Sequence, residues 1–565
     1  MNNIIDVTKT QIENKTKEAL KTAIEKGIFQ DFEISGIFIE IPKEKGHGEF
    51  STNVAMQLAK KIGKPTRVIA DEIIGNFNAG DTYIDKIECA GPGFINFYLN
   101  KKWLYDALLL ISELKENYGK IDLGQGKKVM VEFVSANPTG PLTMGNARGG
   151  ALGDCLASVL SAAGYDVTRE FYINDTGNQI VNFGKSLEAR YIQEIKGEGA
   201  IIFPEDGYHG DDIKIHAREY IEEHGTGLLE EESEKRRETL IKYALDKNLK
   251  NIKEALEYYG IDFDVWFSEK SLYDSGAVDG LMKYLTDNGY TAEKDGAIWL
   301  RADAAGLEKD EVLVKSNDFY TYLVPDIAYH RNKFFDRGFD RVINLLGADH
   351  HGHAGRMKNV MKNIFGIGPD RFEIILYQLV RLYQDGQIAR MSKRTGRSIS
   401  LTDLLDEVGR DAARFFFNLK TSGTHLDFDL DLAVSQSNDN PVFYVQYAHA
   451  RICSMISLLE KEGYKILSAK EVKLELLTAG EEEELIAKLA ELPEEIKTAA
   501  IILEPSRLTR YLIDVAGSFH SFYNACRIKG EDKDLAEARM FLISMVKIVI
   551  GNVLELLSIS APEKM

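Results

Sequence analysis

The sequence predicts a multidomain α/β protein built around a doubly wound parallel sheet. Three observations carry that reading. Apolar, β-branched runs alternate with helical patterns through the middle of the chain, an order that gives a parallel sheet with helices on both faces. A shorter mixed segment precedes this region, and a segment with helical periodicity and few strand signals follows it. At 565 residues the chain also holds roughly three or four domains of ~100–200 residues.

The first region is 1–118. Ile12, Ala19, Leu20 and Ile24 recur at helical spacing and predict an amphipathic helix. The runs GIFIEI (36–41) and GFINFYL (93–99) read as strands, the second entered through the turn Gly91-Pro92-Gly93. The expectation is a small α/β or α+β module.

The second region is 119–432 and holds the Rossmann-like sheet. KVMVEFV (128–134) reads as a buried strand, and a Pro/Gly-rich turn follows it. A helix is expected from about Arg148, with Leu152, Leu156, Val159, Leu160 and Ala163 on its apolar face. DVTREFYIND (166–175), RVINLLGAD (341–349) and RFEIILYQLV (371–380) supply further strands. About 185–290 is highly charged and helical and reads as an insertion whose charges are a solvated face. The third region, 433–565, reads as an all-helical bundle.

The formal net charge of −19 excludes a protein that coats nucleic acid through a broad positive field, but leaves room for RNA held by local basic patches. Cys89, Cys155, Cys453 and Cys526 form no C-x-x-C pair, so reduced thiols are expected rather than a disulfide framework or zinc ribbon. The polar start MNNIIDVTKTQ lacks the apolar run of a signal peptide, and no stretch is long and apolar enough to span a bilayer. A cytoplasmic protein is expected.

Four constellations carry the chemistry. The loop from Glu132 to Asn146 (EFVSANPTGPLTMGN) joins a strand to a helix, where doubly wound sheets bind ligands and a helix N-terminus suits phosphate. Read alone, it is equally an ordinary Gly/Pro-rich turn. Arg390-Met391-Ser392-Lys393-Arg394 is a basic run that suits a triphosphate or an exposed surface. In YTYLVPDIAYH (320–330), Tyr322 and Asp326 share a face if the segment is helical; a helix cap and a core tyrosine is the plainer reading. GADHHGH (347–353) places three histidines at i, i+1 and i+3, poor geometry for a single ion, so no metal site is expected.

Taken together and in order, these stretches resemble the arginyl-tRNA synthetase family of class I aminoacyl-tRNA synthetases. SANPTGPLTMGNARGGALGD resembles its HIGH signature region and RMSKR its KMSKS loop. NDTGNQIVNFGKSLEARY (174–191), FDVWFSEKSLY (263–273), GHGEFSTNVAMQLAK (46–60), NPVFYVQYAHARI (440–452) and the terminal ISAPEKM extend the likeness over nearly the whole chain. The resemblance implies a tRNA-elbow module at the start and an anticodon-binding bundle at the end. It implies ATP as substrate with Mg²⁺, L-arginine and tRNA(Arg) as partners, and in-line attack of the arginine carboxylate on the α-phosphate. Transfer to the 2′-hydroxyl of the tRNA terminus follows, with bound tRNA required for activation. A monomer is expected.

Residue by residue, the resemblance assigns Thr143, Gly145, Asn146 and Lys393 to catalysis. Thr143, Met144, Gly145, Asn146, Met391, Ser392 and Lys393 would bind ATP. Glu132, Ser135, Ala136, Asn137, Asn146, Tyr322, Asp326 and His350 would hold arginine. Arginine's planar, permanently charged guanidinium suits a carboxylate, here Asp326, with Tyr322 beside it. Tyr444, Tyr447 and His449, with Arg451, Arg507 and Arg510, are candidates for tRNA, though each alone also reads as a packing or surface residue. Thr143 stands where the family usually has histidine. A threonine hydroxyl reaches less far and carries no charge, which leaves a second reading, a tRNA-binding paralogue with weakened catalysis.

Overall fold

The computed structural model describes residues 3–34, 36–42, 44, 46–389 and 399–565. Its centre is a five-stranded, all-parallel sheet. The strands are β1 (Lys128–Glu132), β2 (Asp166–Ile173), β3 (Val265–Ser268), β4 (Arg341–Gly347) and β5 (Phe372–Tyr377), in the order β3-β2-β1-β4-β5. Val129, Val131, Phe171, Ile343 and Leu345 point into one apolar core, whereas Met130, Tyr172, Val342 and Ile374 point into another on the opposite face. Period-two alternation thus divides two buried faces, which is why these strands are apolar throughout. The strand order reverses between β1 and β4, so a crevice opens at their carboxyl ends.

Helix α1 (Met144–Ala162) crosses over from β1, and α2 (Gly177–Lys196), α3 (Asp211–His224) and α4 (Ser233–Tyr259) form the helical insertion. Phe183, Leu187, Tyr191, Ala217 and Leu240 give that insertion a small core of its own. Two further helices, α5 (Leu323–Arg331) and α6 (His351–Phe365), flank the crevice.

Three expectations need correction. The first crossover helix begins at Met144, four residues before Arg148, because Thr143 caps it. The segment 185–290 is not wholly helical: it contains β3, whose four residues VWFS are too short to announce a strand amid charged helices, and an antiparallel three-stranded sheet follows it over Thr291–Val314. GIFIEI forms no strand among its described residues; only Glu40 bridges, to Ser51. GFINFYL does form one, Phe94–Leu99, central in an antiparallel sheet between Phe50–Thr52 and Ile84–Ala90. The end of the chain is helical as expected, from Pro441–Lys461 through Lys533–Leu556.

The bundle is fastened to the central sheet through α1. Arg414, fully buried, donates to Asp154 of α1 and, at 2.7 Å, to the carbonyl of Leu557 near the carboxyl end. Desolvating a guanidinium is tolerable because its charge and hydrogen-bond donors are met in this way.

Candidate active site

The crevice at the switch point is a cavity of about 950 Å³. Its first wall is the loop after β1. The strand ends at Glu132 and the chain reverses sharply, with φ of 66° at Val134 and 39° at Ser135. Ser135 N–H donates to the Phe133 carbonyl at 2.9 Å, closing a three-residue turn. Non-glycine residues held there cost on the order of 1–3 kcal/mol each, strain that persists where a site over-determines its loop. Ser135 Oγ donates to Glu132 Oε1 at 3.1 Å and accepts from Tyr172 N–H at 3.2 Å. Asn137 Nδ2 donates to Gln179 Oε1 at 2.6 Å.

The second wall is the start of α1. Thr143 and Asn146 form a reciprocal capping box, which fixes both side chains at the crevice. Gly149 lets this helix approach Tyr377 at the end of β5: a Cβ there would stand 2.7 Å from the phenol oxygen. Arg148, fully buried, donates to the carbonyls of Gln378 (2.6 Å), Thr421 (3.1 Å) and Thr424 (2.9 Å), so it ties α1 both to the loop after β5 and to the turn at 421–424. Burial lowers its guanidinium to about 10.

The third wall is α5. Leu323, Val324, Ile327 and Ala328 face the core, which leaves Tyr322 and Asp326 toward the crevice, one helical turn apart. Asp326 keeps 27% of its side chain exposed, yet the depth of protein around it is the largest influence on its carboxyl. Burial, then the carboxylates of Glu269 and Glu132, raise it to about 8, against the pull of Lys333. Lys333 is fully buried and donates to Glu132 Oε2 at 2.5 Å and to Asn344 Oδ1 at 3.2 Å. Glu269 accepts from Tyr172 Oη at 2.9 Å and from Thr176 Oγ1 at 2.5 Å.

Two histidines complete this wall. His330 Nδ1 lies 2.8 Å from the Asp326 carbonyl and its Nε2 lies 2.8 Å from Asn344 Nδ2. The carbonyl requires a donor and the amide an acceptor, so the ring is neutral with its hydrogen on Nδ1. Burial, then Lys333, holds its pKa well below the usual histidine value. His353 Nε2 approaches Asp326 Oδ2 at 3.4 Å; burial, then Arg356, lowers its pKa to about 4. Three carboxyl groups, those of Glu132, Glu269 and Asp326, therefore crowd this end of the cavity, with Lys333 paired to Glu132.

Glu132, Ser135, Ala136, Asn137, Thr143, Gly145, Asn146, Tyr322, Asp326 and His350 all line this one cavity. Met144 does not: it packs against the core beneath α1. Met391, Ser392 and Lys393 lie outside the described residues. The chain beyond them rejoins the site, since Ser400 bridges Thr143 and Leu401 N–H donates to the Leu142 carbonyl at 2.9 Å.

Residues 109–426 match the family described as tRNA synthetases class I (R), catalytic domain, residues 11–99 the arginyl tRNA synthetase N terminal domain, and residues 445–565 the DALR anticodon binding domain. The chain belongs to the arginyl-tRNA synthetase family. An arginine–tRNA ligase of Acetivibrio thermocellus is 63% identical over 565 residues, 100% of each chain. One of Ruminiclostridium cellulolyticum is 61% identical over the same span. The arginyl-tRNA synthetase structure of Thermus thermophilus shares the fold, with a TM-score of 0.73 at 21% identity over 98% of this chain and 100% of that one. Nothing among these relatives favours a binding paralogue.

Sequence reasoning missed Tyr172, Glu269, His330, Lys333, Asn344 and His353 at this arginyl-tRNA synthetase site. Tyr172 and Glu269 sit at the carboxyl ends of β2 and β3, so the strand-end rule would have found Glu269 had β3 been recognised. Lys333, buried among apolar residues of a helical turn, gives no pattern that marks it.

The tRNA candidates fall into separate groups. Tyr444, Tyr447 and Arg451 come together with His520 and Tyr523: the Tyr444 and His520 rings lie 4.8 Å apart, Arg451 donates to Tyr447 Oη at 3.2 Å, and its guanidinium sits 3.9 Å from the Tyr523 ring centre. Arg507 and Arg510 lie near the other end of the helix Ser506–Ala525, a rise of ~15–20 Å from His520. Arg507 is engaged by Glu495 through two contacts of 2.8 Å, whereas Arg510 is exposed. His449 is buried with Nδ1 2.9 Å from the Pro562 carbonyl, so it is a packing residue. No described helix is long and apolar enough to cross a membrane.

Proposed function

We propose that this protein is an arginine–tRNA ligase: it activates L-arginine with ATP and transfers it to the terminal adenosine of tRNA(Arg), releasing AMP and pyrophosphate. The observation that carries the reading is the acidic end of the crevice. Asp326, Glu132 and Glu269 crowd together with Lys333 to offset them, and burial, reinforced by repulsion from the other two carboxylates, keeps Asp326 from ionising easily. A guanidinium relieves that repulsion and supplies donors in a planar fork.

Arginine then lies with its guanidinium at Asp326 beside Tyr322, and its amino and carboxylate groups at Ser135, Asn137 and Asn146. Glu132, Ala136 and His350 complete the pocket. ATP binds across the start of α1, where free backbone N–H groups and the positive helix end favour phosphate. The arginine carboxylate attacks the α-phosphate in line, and the ribose of the tRNA terminus afterwards attacks the adenylate. No residue need become covalently attached; positioning and electrostatic stabilisation supply the rate.

Lys393, assigned from its motif, would offset charge on the phosphates, with Met391 and Ser392 beside it. Among the described residues no group of three or more side chains is arranged to hold a metal, and Mg²⁺ is best placed as part of the Mg·ATP substrate, held by phosphate oxygens and water. Residues 1–118 would contact the tRNA elbow, 119–432 perform the chemistry, and 433–565 bind the anticodon through Tyr444, Tyr447 and Arg451, with Arg510 a phosphate contact. Arg507 takes that role only if Glu495 releases it. The protein would act as a cytoplasmic monomer.

The test is aminoacylation of arginine-accepting tRNA with ATP and Mg²⁺. Charging specific to arginine is expected; a folded protein that binds this tRNA without charging it contradicts the reading.

A further inference from the structure

The loop that carries Ser135 and Asn137 is fastened at Ser135 by Phe133, Glu132 and Tyr172, but from Asn137 onward it leans on the helical insertion. Val134 and Ser135 occupy the left-handed region, which persists only where the surroundings impose it. On its far side the loop borders a second cavity of about 440 Å³, lined in part by Gly140, Pro141 and Leu142, so close packing does not fix it there. What spans the gap is polar. Asn248 of α4 donates through Nδ2 to the carbonyl of Pro138 at 2.9 Å, and its Oδ1 lies 2.8 Å from His216 Nε2 of α3. Both residues are 5% exposed. Because the Asn248 amide nitrogen is committed to Pro138, its oxygen must accept, so His216 carries its hydrogen on Nε2. His216 Nδ1 is buried without a partner, so the ring's one described hydrogen bond is the one that orients Asn248. A second strut from the insertion, Gln179 of α2, accepts from Asn137.

We propose that His216 and Asn248 are positioning residues for arginine: the helical insertion braces the strained Ser135–Pro138 loop from outside and so keeps the arginine amino and carboxylate contacts in register. The proposal rests on the reading that this loop holds arginine. Neither residue touches the cavity at the switch point; their effect passes through Pro138.

The test uses the full chain and four variants. Asn248→Ala removes the donor and leaves the Pro138 carbonyl unpaired. His216→Leu removes the group that orients Asn248, while His216→Gln keeps a donor close to Nε2. Tyr258→Phe, at an exposed position of the same helix, is the control. Arginine-dependent ATP–pyrophosphate exchange is measured with tRNA present, and backbone hydrogen exchange of the 133–142 peptide without any substrate. Asn248→Ala and His216→Leu should raise KM for arginine about tenfold, as expected for a buried carbonyl or amide losing its partner, with KM for ATP within about twofold of the parent. They should also speed exchange in the loop peptide, while His216→Gln and the control stay near the parent.

Parent-like KM and loop exchange in Asn248→Ala and His216→Leu overturn the proposal. So does an equal rise of both KM values with loop exchange unchanged. If Asn248→Ala does not fold, the His216→Leu and His216→Gln pair decides alone. Faster loop exchange in a protein whose parent shows no arginine-dependent reaction keeps the brace and rejects the substrate.

Discussion

Thr143 and Asn146 are closed on each other: the Thr143 hydroxyl donates to Asn146 Oδ1 at 2.8 Å, and the Thr143 backbone N–H donates to the same oxygen at 3.0 Å. The hydroxyl proton is therefore spent inside the protein, and Asn146 is left with its Nδ2 amide to offer a substrate. A threonine here caps the helix well and contributes little to phosphate. Thr143→His should raise the rate constant of adenylate formation about tenfold or more, the worth of one charge-assisted hydrogen bond that strengthens in the transition state. It should also lower stability by about 1 kcal/mol through loss of the cap. Single-turnover adenylate formation and urea unfolding measure the two effects; an unchanged rate would mean that phosphate charge is met elsewhere.

The raised pKa of Asp326 sets a sign for pH. With its carboxyl near 8, most free enzyme at pH 7 holds a proton on Asp326, and the guanidinium requires the ionised form. Arginine affinity should rise with pH from 6 to about 8 and then level off, with close to one proton released per arginine bound at pH 7. His353, near 4, does not titrate in that window. The same shift makes Asp326 oppose folding as pH rises from its ordinary range toward 8, because the folded chain binds the extra proton. Calorimetric titration in buffers of different ionisation enthalpy counts the proton. Asp326→Asn should abolish the slope and weaken arginine by about 2–5 kcal/mol; a slope that survives in that variant assigns the proton to another group.

Four strands of the central sheet were legible because continuous apolar, β-branched runs and strand–helix alternation report directly on burial: Val129, Met130 and Val131 announce β1 whatever surrounds them. The crevice lining was legible as far as Glu132, Tyr322 and Asp326, which stand at a strand end and on one helical face. What escaped depends on contacts between distant segments. Lys333 meets Glu132 across 201 positions of sequence, and Glu269 meets Tyr172 across 97, pairings that no local pattern encodes. The strain at Val134 is equally silent, since valine is a poor choice for a positive φ and only the assembled site explains it.

Arg356 holds Tyr322 in place. Its Nη2 donates to the Tyr322 hydroxyl at 2.8 Å while its Nη1 lies 3.5 Å from Glu311, and Tyr322 is otherwise 61% exposed. A mobile tyrosine stacks poorly on a guanidinium, so Arg356→Gln and Tyr322→Phe should each raise KM for arginine about five- to tenfold, within the range of one hydrogen bond to a charged group. Because they break the same bond, the double variant should be no worse than either single one. Additive effects would show that the two residues act separately.

Two glycines of α1 should respond in opposite ways to alanine. At Gly153 an added Cβ would stand 2.3 Å from Phe133 Cγ and 2.5 Å from its Cβ, at the point where the helix presses on the residue after β1, so the helix or the fully buried Phe133 must shift. Gly153→Ala should cost about 3 kcal/mol or more through overpacking, read as a lower urea midpoint. At Gly145 the nearest atom to a new Cβ is Thr143 Oγ1, at 3.7 Å, so nothing resists it within the protein. Helix propensity then favours alanine by up to about 1 kcal/mol. Gly145 lines the cavity, however, and its missing side chain leaves backbone open to it, where the proposed reading places the ATP phosphates. Gly145→Ala should therefore match or exceed the parent in stability while KM for ATP rises, and an unaltered KM for ATP would move the nucleotide away from the start of this helix.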